Sequence, residues 1–168
     1  MKLNLADLKE GITVLDLSED AKDMGFDAKD EIRFEGPIFS NIEVNNMVDK
    51  IGLKGRIKAK AMLECGRCLE KFDYNIDTSF DLIYTRSSAA KDGEIEKEQF
   101  DELVLTGDTI NLNNDVRQTI ILDLPMQYLC KESCKGLCPV CGKDRNREKC
   151  NCTFQRENPF GKLKLNKQ

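Results

Sequence analysis

Cysteine constrains this chain more than any other residue. Six of its eight cysteines lie within 23 residues: Cys130, Cys134, Cys138, Cys141, Cys150 and Cys152. The other two form the separate pair Cys65-Gly-Arg-Cys68, and histidine is absent altogether. Its absence excludes imidazole acid–base catalysis, Ser–His and Cys–His nucleophile pairs, and every mixed Cys/His zinc site. Thiols at this density need a metal, a disulfide framework, a redox centre or a nucleophilic role. Eight cysteines in 168 residues is about half the density of a secreted disulfide scaffold. The opening Met-Lys-Leu-Asn-Leu-Ala-Asp-Leu-Lys-Glu has acids where a secretory signal needs an apolar run. No apolar stretch reaches the ~20 residues that cross a bilayer, so no membrane partner is expected. The expected setting is cytoplasmic, where thiols stay reduced and clustered cysteines more often bind metal than pair.

The length allows one domain with a core, or a domain plus a small appendage. Ile51, Leu53, Gly55, Ile57, Ala59, Ala61 and Leu63 alternate with Lys54, Arg56, Lys58 and Lys60. From Phe72 the pattern resumes, with Tyr74, Ile76, Phe80, Leu82 and Tyr84 alternating against Asp73, Asp77 and Asp81. Period-two patterning over both runs predicts two long half-buried strands in an antiparallel hairpin. A turn centred on Gly66 and Arg67 sets Ile57 opposite Ile76, Ala59 opposite Tyr74 and Ala61 opposite Phe72. The outer face then pairs Lys60 with Asp73 and Arg56 with Asp77. Cys65 and Cys68 fall at the projecting tip.

Elsewhere the signals are local. Leu3, Leu5 and Leu8 suggest a strand or short helix ending at Gly11, and Ile12, Val14 and Leu17 suggest a strand. Ser18 caps a helical turn towards Met24. Ile32, Phe34 and Ile38 alternate in part, with Pro37 at an edge or bend. Residues 86–102 are acidic and read as a solvated, mobile loop, with one helical turn near Phe100. Leu103–Leu105 and Thr109–Leu112 bracket Gly107-Asp108 and predict a small hairpin. Leu112, Val116, Ile120, Ile121 and Leu124 then mark the apolar face of a helix capped at Asn113 or Asn114 and stopped by Pro125. The expectation is an α+β fold: a mainly antiparallel sheet built on the long hairpin, one packed helix, and a C-terminal tail like a zinc knuckle. Residues 1–129 form the sheet domain, and 130–168 form a cysteine-rich basic module packed on it.

Cys138-Pro-Val-Cys141-Gly142 has the form of half a zinc site. Two intervening residues let both sulfurs reach one tetrahedral ion, and the glycine permits a turn whose N–H groups face sulfur. Two arrangements remain open. One holds two ions: Cys138, Cys141, Cys150 and Cys152 in one site, and Cys65, Cys68, Cys130 and Cys134 in the other. The other arrangement holds a single zinc, drawn from Cys134, Cys138, Cys141 and either Cys150 or Cys152, since Cys-x-Cys is tight for one ion. Deaminase chemistry needs a Glu beside its first ligand and a Pro-Cys-x-x-Cys run, whereas here Leu137 precedes Cys138 and Pro139 follows it. A thioredoxin-like role for Cys65 and Cys68 needs a helix N-terminus rather than a hairpin tip. With cysteines in surplus, a closed structural site is favoured over an open hydrolytic one.

Charge is uneven. Residues 130–168 carry ten Lys/Arg and four Asp/Glu, a net +6, against a whole-chain charge of −4. Such a tail is either a plain solvated surface or one that prefers a polyanion such as RNA. Lys143, Arg145, Arg147 and Lys149 fall between the ligand pairs and are the candidate phosphate contacts. No aromatic is interleaved, so backbone contact is expected rather than base stacking.

The run Leu124-Pro125, Cys130-x3-Cys134-Lys-Gly-Leu-Cys138-Pro-x-Cys141-Gly-x3-Asn146-x3-Cys150-x-Cys152, preceded by Cys65-x-Arg67-Cys68-Leu69, resembles the YceD family, the large ribosomal RNA subunit accumulation proteins of bacteria and plastids. The resemblance covers roughly 50–165. It implies a cytoplasmic, non-enzymatic ribosome-biogenesis factor supporting accumulation or processing of large-subunit (23S) ribosomal RNA, with no catalytic residue and no small-molecule substrate. The implied partner is ribosomal RNA or a pre-ribosomal particle. Two other classes stand beside it: an adaptor docking a ribosomal protein or processing enzyme, and a zinc–thiolate redox sensor.

Overall fold

The computed structural model describes residues 1–26, 32–86, 102–105 and 107–153. The sustained alternation produces the two strands that carry the fold, β5 (Lys50–Glu64) and β6 (Lys71–Arg86), paired antiparallel over their length. Before them come β1 (Lys2–Asn4), a 3-10 turn (Leu5–Asp7), β2 (Gly11–Glu19), β3 (Arg33–Phe34) and β4 (Ile38–Asn46). After them come β7 (Glu102–Leu105), β8 (Thr109–Asn111) and α1 (Asn113–Asp123). The main sheet runs β2-β4-β5-β6-β7, with β3 pairing β5 beyond the end of β4; β1 and β8 form a separate two-stranded pair.

One face of the sheet is apolar. Ile42, Val44, Ile51, Leu53, Ile57 and Ile76 are buried there, in one cluster with Leu3, Ile110, Leu112, Val116 and Ile120 from β1, β8 and α1. α1 packs against β6, where the Tyr84 hydroxyl donates to Asp115 at 3.1 Å. The helix lies on the expected stretch, but its N-cap is Leu112, with no side-chain cap, rather than Asn113 or Asn114; Ile121 is 42% exposed and only Val116 and Ile120 of α1 are buried. Pro125 follows the last turn, as anticipated. No described helix is long and apolar enough to cross a membrane.

The structure corrects the sequence expectations at several points. The hairpin register is shifted by two residues: Ala59 faces Ile76, Ala61 faces Tyr74 and Leu63 faces Phe72. Strand pairing stops at Glu64 and Lys71, and Cys65–Glu70 form the loop, closed by Cys65 N donating to Glu70 O at 2.9 Å. Both sulfurs thereby leave the ladder. A shift of two keeps every side chain on its expected face, where a shift of one would have exchanged them. Lys58 now lies opposite Asp77 and Lys54 opposite Asp81, while Arg56 reaches Asp77 diagonally at 2.6 Å.

Leu103–Leu105 and Thr109–Leu112 do not form a hairpin. β7 runs parallel to β6, and β8 pairs antiparallel with β1, placing Ile110 opposite the buried Leu3. A distant apolar partner outcompetes the local turn, and the long 86–102 connection supplies the chain that a parallel crossover requires. Residues 87–101, which include most of the expected acidic loop and the turn near Phe100, lie outside the described residues. β4 was not anticipated, although Ile38, Ser40, Ile42, Val44 and Asn46 alternate on its buried side. Pro37 marks the bend between β3 and β4, but β4 is an interior strand. The helical turn expected from Ser18 begins later, at Asp20, because β2 continues through Glu19.

Gly55 sits at a close approach that its sequence position hints at but does not explain. It faces Phe80, whose ring lies where a side chain would go; a Cβ at residue 55 would meet the ring at 2.2 Å. Gly55→Ala is expected to lower stability by about 1–3 kcal/mol through overpacking. Urea unfolding should also show that Phe80→Leu recovers part of that loss in the double variant, as additive effects would not.

Candidate metal centres

The eight cysteines converge into two quartets. Cys65 and Cys68 at the hairpin tip meet Cys130 and Cys134 from the segment after α1; Cys138, Cys141, Cys150 and Cys152 form the second group. Within each quartet all four sulfurs lie within 4.8 Å of one another. These are the groupings of the two-ion arrangement, and the single-ion arrangement, which mixed Cys134 with the second group, is not the one assembled.

The spacing tests what the quartets fit. Sulfur–sulfur separations are 3.9 Å for Cys65–Cys134 and 3.7 Å for Cys68–Cys130. In the second quartet they are 3.6 Å for Cys141–Cys150 and 3.3 Å for Cys138–Cys150. A tetrahedral ion with metal–sulfur bonds of ~2.3 Å sets edges near ~3.8 Å, whereas a disulfide requires ~2.05 Å. The cysteines are unpaired and fit one ion per quartet.

Local structure explains the convergence. The hairpin tip is bound to the tail by backbone hydrogen bonds: Gly66 N to Tyr128 O and Leu137 N to Arg67 O, both 2.9 Å. The Arg67 guanidinium donates to the Cys134 carbonyl at 3.0 Å. Gly136 has φ +68, and a Cβ there would lie 2.9 Å from Arg67 O, so only glycine lets the tail pass this close. Beyond it, Cys138–Gly142 closes a tight loop through Gly142 N to Cys138 O at 2.9 Å, and Leu137 bridges Asp144.

Asn146 links the two centres. It lies between Cys141 and Cys150 in the chain, yet its Nδ2 donates to the Cys134 sulfur of the other quartet at 3.4 Å. Its Oδ1 accepts from Lys135 N at 2.9 Å, and Asp144 holds both its side-chain amide and its backbone N–H. The sequence placed Asn146 inside a motif without giving it a role. Gly136 and Arg67 were likewise present without a stated function, because their contacts join residues about seventy positions apart.

The thiols are electrostatically uneven. Burial acts to raise the Cys65 pKa, but backbone hydrogen bonds at Cys130, Arg67 and Cys68 outweigh it and hold it near about 6. Burial likewise opposes a lowered Cys134, which the Asn146 amide and the Gly136 backbone favour as thiolate. Hydrogen bonds from the Cys141 and Val140 backbone bring Cys138 to about 6. Cys130, raised by burial and then by its neighbouring thiols, stands at about 12; Cys152 reaches about 12 through Cys150 and Cys141. Each quartet therefore combines sulfurs prepared to ionise with sulfurs that their neighbours keep protonated. A bound cation reverses that mutual suppression and allows four thiolates at once.

The four candidate phosphate contacts separate into two kinds. Lys143 pairs with Glu148 at 2.9 Å, and Arg147 pairs with Glu70 and, at 3.8 Å, with Asp144. Arg145 and Lys149 are exposed and have no acidic partner among the described residues.

A protein with this sheet and two cysteine quartets matches the family model described as large ribosomal RNA subunit accumulation protein YceD over residues 53–166. The chain belongs to the YceD family. It is 22% identical over 156 residues to the large ribosomal RNA subunit accumulation protein YCED homolog 1, chloroplastic, of Arabidopsis thaliana, covering 76% of this chain and 49% of that protein. The Zea mays homolog 1 is 24% identical over 150 residues, covering 74% and 51%. An uncharacterized protein of Mycobacterium tuberculosis is 26% identical over 102 residues, covering 61% and 48%. The chain thus spans about half the length of the curated relatives it matches. No solved structure matches it.

Replacing Asn146 with Ala removes the amide donor to the Cys134 sulfur. Chelator competition should show metal held by Cys65, Cys68, Cys130 and Cys134 weakened about 10- to 100-fold, the usual effect of losing a group that orients a ligand.

Proposed function

We propose that this chain is a non-enzymatic, cytoplasmic factor that supports accumulation of large-subunit ribosomal RNA, with two structural zinc ions holding its tail. The family match over 53–166, which takes in both quartets, carries the proposal. Zinc suits all-sulfur, closed, single-ion sites in a chain without histidine. Cys65, Cys68, Cys130 and Cys134 would hold one ion; Cys138, Cys141, Cys150 and Cys152 would hold the other. Bound there, zinc supplies cross-linking of separate segments rather than reactivity.

RNA contact, on this proposal, is made to the phosphate backbone through Arg145 and Lys149. Each loaded quartet adds a charge of about −2, so two lower the +6 of residues 130–168, taken together with Cys65 and Cys68, to roughly +2. A surface this weakly basic positions RNA without reading its bases. A second class, an adaptor for a ribosomal protein or RNA-processing enzyme, is favoured by one observation. A groove of about 730 Å³ lies between the hairpin tip and the end of α1, lined by Leu69, Ile121, Met126 and Tyr128 among others.

Depletion of the protein should lower large-subunit ribosomal RNA relative to small-subunit RNA; unchanged ratios would remove the main proposal. For direct contact, Arg145→Glu with Lys149→Glu should weaken RNA binding and reduce the salt slope by about 1–2, at unchanged zinc content. Protein-partner binding with no RNA binding at moderate salt would favour the adaptor instead.

Stripping the metal provides a separate check on organisation. Zinc chelation should leave the strand signal in far-ultraviolet circular dichroism intact while exposing the tail to protease. Simultaneous loss of the sheet would show that residues 1–129 do not stand alone.

A further inference from the structure

We infer that the two quartets respond differently to oxidants: Cys138, Cys141, Cys150 and Cys152 form a peroxide-responsive thiol site, while Cys65, Cys68, Cys130 and Cys134 form a protected clasp. This rests on the metal-binding proposal above and adds which centre responds, through which sulfurs, and what survives.

Burial separates them. In the clasp, Cys65 is 0% exposed, Cys134 4% and Cys68 6%, with Phe72, Leu129 and Leu137 packed around them; Cys130 is half-buried, and none of the four is exposed. In the other quartet only Cys138 is buried; Cys141 and Cys152 are exposed and Cys150 is half-buried. An oxidant arriving from water reaches sulfur in proportion to its exposure and thiolate character. Metal coordination keeps all four sulfurs as thiolates, so exposure decides between the centres.

Exposure and spacing together select the pair: Cys138 lies nearer to Cys150, at 3.3 Å, but is buried, whereas Cys141 is exposed. The Cys141 and Cys150 sulfurs are 3.6 Å apart, and the eight residues of chain between them, 142–149, give the freedom to close that gap. The Cys141 thiolate attacks hydrogen peroxide; an S–O bond forms, the O–O bond breaks, and hydroxide leaves, giving a sulfenic acid. The Cys150 thiolate then attacks that sulfur; an S–S bond forms, the S–O bond breaks, and a second hydroxide leaves. The two sulfurs lose two electrons, and one peroxide becomes two hydroxide ions. Only two donors, Cys138 and Cys152, then remain where a closed site needs four.

The consequence is confined. A Cys141–Cys150 disulfide keeps the 142–149 loop closed at its base. The contacts that seat this loop on the clasp, Arg145 N to Gly136 O at 3.0 Å and Asn146 Nδ2 to the Cys134 sulfur, involve neither oxidised residue. The sheet and clasp stay joined while one zinc is released, and a dithiol reverses the change.

The test uses the full chain carrying two zincs. Hydrogen peroxide is added, released zinc is followed with a colorimetric chelator, and remaining thiols are alkylated at intervals and mapped by mass spectrometry. One zinc per chain should leave about tenfold or more faster than the second, as exposure of the thiolates requires. Cys141 and Cys150 should be lost first from the alkylated pool and appear in one disulfide-linked peptide. Dithiothreitol and added zinc should restore the starting state. Release of both zincs in one phase, earlier oxidation of Cys65 or Cys68, or a different disulfide in the fast phase overturns the inference. So does retention of both zincs, which leaves the metal proposal standing; a purified chain without bound zinc overturns both.

Discussion

Four sulfurs from two distant parts of the chain meet where the hairpin tip is hydrogen-bonded to the segment that follows α1, and the tail is built on that junction. Cys65 and Cys134 are separated by 69 positions, yet their sulfurs lie 3.9 Å apart. Bringing such segments together costs chain entropy, and a metal bound only in the folded state offsets it directly. The junction also satisfies the backbone: Gly66 N, Arg67 O and Leu137 N find partners across it. Leu69 adopts φ 59 beside the quartet, a left-handed conformation that costs a residue with a Cβ about 1–2 kcal/mol. The second quartet follows from the first, because Gly136, Leu137 and Asn146 all lie against the clasp.

The same sulfurs govern the electrostatics. The tail is rich in Lys and Arg, but acidic neighbours consume part of that charge, and metal-loaded quartets would consume more. Lys143 and Arg147 are turned towards Glu148, Glu70 and Asp144. These exposed pairs contribute little to stability and are screened by salt. Among the described residues, their greater effect is to leave Arg145 and Lys149 as the loop's charges without an acidic partner. A basic count over the tail alone overstates the surface presented to a polyanion.

Much of this was legible in the sequence, and the failures share a cause. Alternation identified β5 and β6 and the faces of their side chains, since period two is a local property. It left the register off by two, because Cys65–Glu70 form a longer loop, hydrogen-bonded to Tyr128 and Leu137, rather than a two-residue turn. β4 passed unread between a proline bend and polar residues, although its buried positions alternate. The expected hairpin around Gly107 failed because β1, about a hundred residues earlier, offered β8 a buried apolar partner. Asn146 could be seen as part of a motif, but its bond to Cys134 required the fold.

By itself, the sequence determined the chemistry available. Eight thiols, no histidine and a Cys-x2-Cys-Gly half-site make cysteine the main ligand available to any resident zinc, and long alternation dictates a sheet. Tertiary structure decided the partition: which cysteines come together, which quartet is buried, and which basic residues lack an acidic partner among the described residues. Residue type and short-range periodicity are properties of the local chain, while coordination, burial and charge compensation depend on segments far apart in sequence that meet only when the sheet and its tail are assembled.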